Sequence, residues 1–181
     1  MASAVTSVEL PSDTIKAVVW DWDRTVLRIH SFGSRVEPGN VTAGLHDGDY
    51  ADKEYFKALV EKLVEAGVKV FIASFGRYDV IQAYTTRMFG SGNPFSRESI
   101  STPESLGTVQ GANGSVIVHK DGVTVAGQKL PQLDKICREH SLKREEIMFF
   151  DGECCLKTFC AAALWQQLTP RLPSSQMIFA T

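Results

Sequence analysis

Residues 15–25 read IKAVVWDWDRT. Residues 15–20 (IKAVVW) form a short, mostly apolar run, the pattern of a strand buried on both faces of a parallel sheet. The run then gives way to Asp21-Trp22-Asp23-Arg24-Thr25, two acids and a hydroxyl at the point where the chain leaves the sheet. Residues 68–73 (VKVFIA) and 147–150 (IMFF) repeat the apolar pattern, and residues 161–166 supply a further candidate strand.

Between the first two runs, Tyr55, Phe56, Leu59, Val60, Leu63 and Val64 recur at helical spacing. Asp52 suits the N-cap of that helix and Gly67 its C-terminal stop, so the segment reads as a β-α-β unit. A second helix is expected across residues 78–88. A third is expected across residues 130–140, where Pro131 fits an early helical position and Leu133, Ile136 and Cys137 face inward. Residues 90–114, rich in Gly, Ser, Asn and Pro, read as a long connection. Val116, Val118, Val123 and Val125 alternate around Asp121-Gly122, a hairpin signal. The order β-α-β-α-hairpin-α-β-α predicts an open, mostly parallel α/β sheet flanked by helices, with a small antiparallel excursion.

The 181 residues suit one domain, with residues 15–166 as its core. A chain of this length buries about 70% of the surface it exposes when unfolded. Nineteen Lys and Arg stand against 21 Asp and Glu, so no basic field exists to draw the chain to nucleic acid or to anionic membranes. The opening MASAVTSVELPSD carries no basic segment followed by an apolar one, and no long apolar run occurs later; the expectation is a soluble, cytoplasmic protein. Cys137, Cys154, Cys155 and Cys160 show no zinc spacing and read as reduced thiols.

Ligands of open α/β sheets bind beyond the carboxyl ends of the strands. Asp21 and Asp23 follow the first run there, Ser74 the second and Asp151 the third. Carboxylates gathered at one edge repel one another unless a cation or a proton offsets them. A hard divalent metal with oxygen ligands, most simply Mg²⁺, would resolve that conflict. Acids two residues apart suit a nucleophile beside a general acid and base. Arg24 and Arg77 flank this edge, and Trp20 and Trp22 read as packing residues.

The stretch VVWDWDRTVL resembles the first motif of the haloacid dehalogenase (HAD) superfamily, an apolar run followed by DxDxT. Ser74 after VKVFIA resembles the second motif, Lys129 in GQKLPQL the third, and IMFFDGE the fourth; successive motif residues lie 53, 55 and 22 positions apart. The segment from GQK to IMFFD is most similar to the magnesium-dependent phosphatase-1 branch. The resemblance implies a Rossmann-like HAD sheet and a phosphomonoester hydrolase. In it Asp21 attacks phosphorus to form an aspartyl phosphate, and Asp23 protonates the leaving oxygen and then activates water. Ser74 and Lys129 would hold phosphoryl oxygens, and Thr25 would anchor the loop. Mg²⁺ would be held by Asp21, Asp151 and the backbone carbonyl of Asp23, with Glu153 in reach of its water shell.

One position departs from the pattern. The last motif of the family usually supplies two acids, whereas here Gly152 follows Asp151 and position 155 is a cysteine. A HAD-like binding or scaffold protein without catalysis is therefore the alternative. A receiver domain fits less well, because its phosphorylated Asp lies on a middle strand. A dehalogenase would leave Asp23 and the metal superfluous. The inserts after Thr25 and after Ser74 are too short for a large cap, which predicts an open site. Phosphoprotein, sugar phosphate and nucleotide all stay open as substrates.

Overall fold

Alternate residues of the first apolar run point to opposite faces of a sheet, and both faces are covered. The computed structural model describes residues 15–106, 109–110, 116–119, 122–125 and 129–152. Along the chain these form β1 (Ala17–Trp20), α1 (Pro38–Thr42), α2 (Lys53–Glu65), β2 (Lys69–Ala73), α3 (Tyr78–Phe89), β3 (Ile100–Ser101), β4 (Val109–Gln110), β5 (Val116–His119), β6 (Gly122–Val125), α4 (Leu130–His140) and β7 (Ile147–Phe150). Val18 and Trp20 join a core with Phe56, Leu63, Ile81 and Tyr84 of α2 and α3. Ala17 and Val19 join Phe71, Ala73, Ile136 and Leu142 on the other side, under α4. The period of two along β1 thus creates two apolar layers from one strand.

The main sheet is parallel throughout and runs β3-β2-β1-β7. This is an α/β architecture of Rossmann-like form, with helices on both faces. Register aligns Trp20 with Ile72 and with Phe150, so β1, β2 and β7 end level and release Asp21, Ser74 and Asp151 at one edge. Trp20 stacks on the Phe150 ring, with centroids 6.0 Å apart, and meets Phe56 edge-on at 5.3 Å. Trp22 is fully buried. Both tryptophans are packing residues.

The helix boundaries have local causes. Asp52 accepts the Tyr55 N–H at 3.0 Å as the N-cap of α2. Gly67, at φ +75°, reverses the chain after α2, and the Val68 N–H bonds the Leu63 carbonyl at 2.9 Å. Pro131 lies in the first turn of α4, where its missing N–H costs nothing.

Three features depart from the sequence expectation. Within the 90–114 connection, β3 adds a fourth parallel strand beside β2. The hairpin pairs His119 with Gly122, so Gly122 belongs to β6 and the link between the strands is 120–121 rather than Asp121-Gly122; β4 adds a third antiparallel strand. The insert after Thr25 contains α1, which packs on α3. Arg87 Nη2 meets Asp47 Oδ2 at 2.8 Å, and the Tyr84 hydroxyl donates to Asp49 at 2.5 Å. Residues 161–166, Glu153, Cys154, Cys155 and Cys160 lie outside the described residues. No helix among the described residues is long and apolar enough to cross a membrane.

Candidate active site

The ladder between β1 and β7 continues one residue past the strands: the Asp21 N–H donates to the Phe150 carbonyl at 2.7 Å. This fixes Asp21 beside the start of the Asp151 segment. The chain then turns sharply, with the Trp22 carbonyl accepting from the N–H groups of Val26 and Leu27 at 3.0 Å each. Arg24 takes a left-handed conformation, φ +57°, within that turn. Thr25 closes it onto the neighbouring strand end, its hydroxyl oxygen accepting the Gly152 N–H. Thr25 thus anchors the loop to the segment that carries Asp151.

That contact gives Gly152 a physical reason. A Cβ at position 152 would lie 2.6 Å from the Arg24 carbonyl carbon and 2.7 Å from Thr25 Oγ1, inside van der Waals contact with main chain that cannot swing away. The residue absent from the expected acidic pair is one that this close backbone approach forbids. Glu153, the other acid considered for the metal, is not among the described residues.

Lys129 reaches Asp21 across 108 positions of sequence, Nζ to Oδ1 at 2.7 Å. Both side chains are about nine-tenths buried. Lys129 also donates to the Ala73 carbonyl at 3.1 Å, and the Phe75 ring covers it with its centroid 4.1 Å from Nζ, a cation–π contact. Burial pushes the Asp21 carboxyl above its ordinary range; Lys129 pulls it down, and the charge of Asp151 raises it again. The effect of burial outweighs the lowering by Lys129.

Ser74 lies one residue beyond β2, fully buried, with its Oγ accepting the Gly76 N–H at 3.0 Å. Its carbonyl accepts from Gln132 Nε2 at 2.6 Å, and the same nitrogen lies 3.3 Å from the Ser101 carbonyl. Gln132, 1% exposed, was missed in the sequence. The signal was there: Gln132 precedes the inward Ile136 by one helical repeat and follows Lys129 by three residues, so a polar residue occupies the apolar stripe of α4. Lys129 and Gln132 together staple the start of α4 to two successive carbonyls, Ala73 and Ser74.

Asp23 is held more loosely. Its Oδ1 is buried without a hydrogen-bond partner, and its Oδ2 lies 3.5 Å from His30 Nδ1. That histidine nitrogen accepts the Gly33 N–H at 3.2 Å. Neither His30 nor Phe75 carried a signal in the sequence. Just beyond His30 opens a cavity of about 390 Å³, lined by Ser31, Phe32, Gly33, Glu37, Arg77 and Val80 among others. Arg77 bridges its wall, meeting Glu37 at 3.2 Å and Asp79 at 2.6 Å.

Asp21, Asp23, Ser74, Lys129 and Asp151 are thus delivered to one edge of the sheet, with Thr25 behind them. No group of three or more His, Cys, Asp or Glu side chains among the described residues forms a metal cluster. Asp21 and Asp151 are the acids that follow the paired ends of β1 and β7. Comparison of the chain with protein-family models, with curated proteins and with solved structures finds no match.

Proposed function

We propose that this chain is a Mg²⁺-dependent phosphomonoester hydrolase of the HAD type, working through an aspartyl phosphate on Asp21. The observation that carries the reading is the buried contact of Lys129 with Asp21 at 2.7 Å, made where Ser74 and Asp151 also leave the sheet. A structural ion pair would not need two further chain segments ending beside it with a hydroxyl and an acid.

The donor set fits a hard cation. All its atoms are oxygens, and Mg²⁺ sites often use only one or two protein carboxylates. Asp21, Asp151 and the Asp23 carbonyl would hold the ion. When bound, Mg²⁺ would neutralise the carboxylates and draw charge from the phosphoryl oxygens.

The residues then divide the work. An Asp21 oxygen attacks phosphorus while the bond to the leaving oxygen breaks, and that oxygen takes the proton of Asp23. Asp23, now a carboxylate, accepts a proton from water as the water oxygen attacks the phosphorus of the acyl phosphate. This releases inorganic phosphate and restores Asp21. Two displacements replace one difficult step. Lys129 and the Ser74 hydroxyl stabilise the phosphoryl oxygens as their charge redistributes.

A HAD-like binding protein without catalysis is the competing reading, favoured by Gly152 in place of an acid. Hydrolysis of an aryl phosphate with and without Mg²⁺, by the native chain and by Asp21→Asn, decides between them. The expected result is Mg²⁺-dependent turnover that falls at least about a thousandfold in the variant, roughly 4 kcal/mol of barrier. Turnover unchanged by Asp21→Asn would sink the enzyme assignment.

A further inference from the structure

We infer that the cavity next to His30 receives the organic part of the substrate, and that it selects a ring-bearing leaving group over a small acyl one. The inference rests on the hydrolase reading and names the substrate class for that site.

Two links connect the cavity to the reacting edge. His30, immediately before the lining residue Ser31, lies 3.5 Å from Asp23 Oδ2. A Cβ on Gly76 would lie 3.2 Å from Ser74 Oγ and 3.5 Å from Ser31 Oγ, so the Ser74 hydroxyl lies near the lining residue Ser31. A phosphoryl group held by Ser74 and Lys129, with its leaving oxygen turned to Asp23, has the cavity next in line. A volume of about 390 Å³ falls within the range of small-molecule sites and exceeds what a methyl or acyl group fills.

The lining indicates what fits. Phe32 is half exposed and offers an aromatic face, and Val36 and Val80 add apolar surface. Arg77 is clamped between Glu37 and Asp79, which holds its guanidinium in place at the wall. A ring entering the cavity would cover Phe32 and leave those pairs intact.

Gly33 provides the test. A Cβ there meets only His30 atoms, at 3.6 Å or more, so Gly33→Leu adds bulk to the lining at ordinary contact distance. Turnover with Mg²⁺ would be measured on 2-naphthyl phosphate and acetyl phosphate, for the native chain, Gly33→Leu and Phe32→Ala. Gly33→Leu should lower the ratio of kcat/KM for naphthyl to acetyl phosphate at least tenfold, mainly through KM, and Phe32→Ala about fivefold. A ratio unchanged in both variants would overturn the cavity assignment while leaving the hydrolase reading intact. No turnover of either phosphate would overturn the hydrolase reading, and the cavity assignment with it.

Discussion

The two flanks of the Asp21–Asp23 edge are built from different interactions. On the α4 side, Lys129 and Gln132 are buried and bond to main-chain carbonyls and to a buried carboxylate. On the α3 side, Arg77, Glu37 and Asp79 form ion pairs with side chains between 42% and 59% exposed. Buried donors to fixed carbonyls permit one geometry, because a small displacement strands a polar group without water. Exposed ion pairs tolerate many geometries, since solvent replaces a lost partner at little cost. In the proposed reaction the first flank holds the phosphoryl group, which every substrate shares. The second borders the leaving group, which differs between substrates. Stiffness lies where the chemistry is constant and compliance where recognition varies.

The largest effect expected from a test of this contrast comes at Gly152, which joins the edge to Thr25. Gly152→Ala forces a Cβ against the Arg24 main chain, where rotating a side chain brings no relief. The variant should lose more than about 3 kcal/mol of stability, beyond the usual cost of overpacking because backbone must move. Gly152→Asp, which restores the expected acid, should fare no better, and thermal unfolding measures both. An Asp variant as stable as the native chain would mean that the segment around Arg24 shifts freely.

The next effect separates positioning from packing on the stiff flank. Gln132→Met keeps length and bulk but removes the donor to the Ser74 carbonyl. The cost should be about 1–3 kcal/mol, the usual range for stranding a buried polar group. Binding of orthovanadate, a mimic of phosphoryl-transfer geometry, should weaken about tenfold, because Ser74 and Lys129 lose their common reference. Ile136→Val on the same helix should cost about 1 kcal/mol with vanadate binding unchanged. Equal weakening in both variants would reduce Gln132 to a packing residue.

Which of these features could be read from sequence follows the same physics. β1 and β2 announced themselves because strands buried on both faces are apolar at nearly every position; β7 shows the same apolar run although only Phe150 of it is buried. The paired ends of the three made Asp21, Ser74 and Asp151 neighbours before any coordinates. Asp52, Gly67 and Pro131 marked helix ends through local backbone chemistry. β3 was unreadable because Ile100 and Ser101 are too few to show a period, and its pairing is specified by β2. The role of Gly152 was equally hidden, since the need for glycine arises from Arg24, more than a hundred positions away. Phe75 gains its role only from Lys129 lying above its ring. Tertiary proximity, without a local pattern, gave the sequence nothing to display.

The smallest effect should come from the compliant flank, and its sign with pH is fixed. Arg77 holds the Asp79 carboxyl below its ordinary range through a direct hydrogen bond, and Arg87 does the same for Asp47. A carboxyl depressed in the folded state contributes stability above its unfolded value, near 3.9. That contribution disappears as pH falls from there through the folded value, because the folded chain resists taking up the proton. Arg77→Ala should therefore cost under about 1 kcal/mol at neutral pH and flatten the loss of stability below pH 4. In 1 M NaCl the native chain should approach the variant, since exposed pairs are screened within about 3 Å at that ionic strength. Denaturant midpoints at pH 7 and pH 3, at low and high salt, measure all three effects. A salt-insensitive loss of 2 kcal/mol or more would place Arg77 in the rigid class with Lys129 and Gln132. The cavity wall it spans would then be a fixed template, and its selectivity would rest on shape more than on charge.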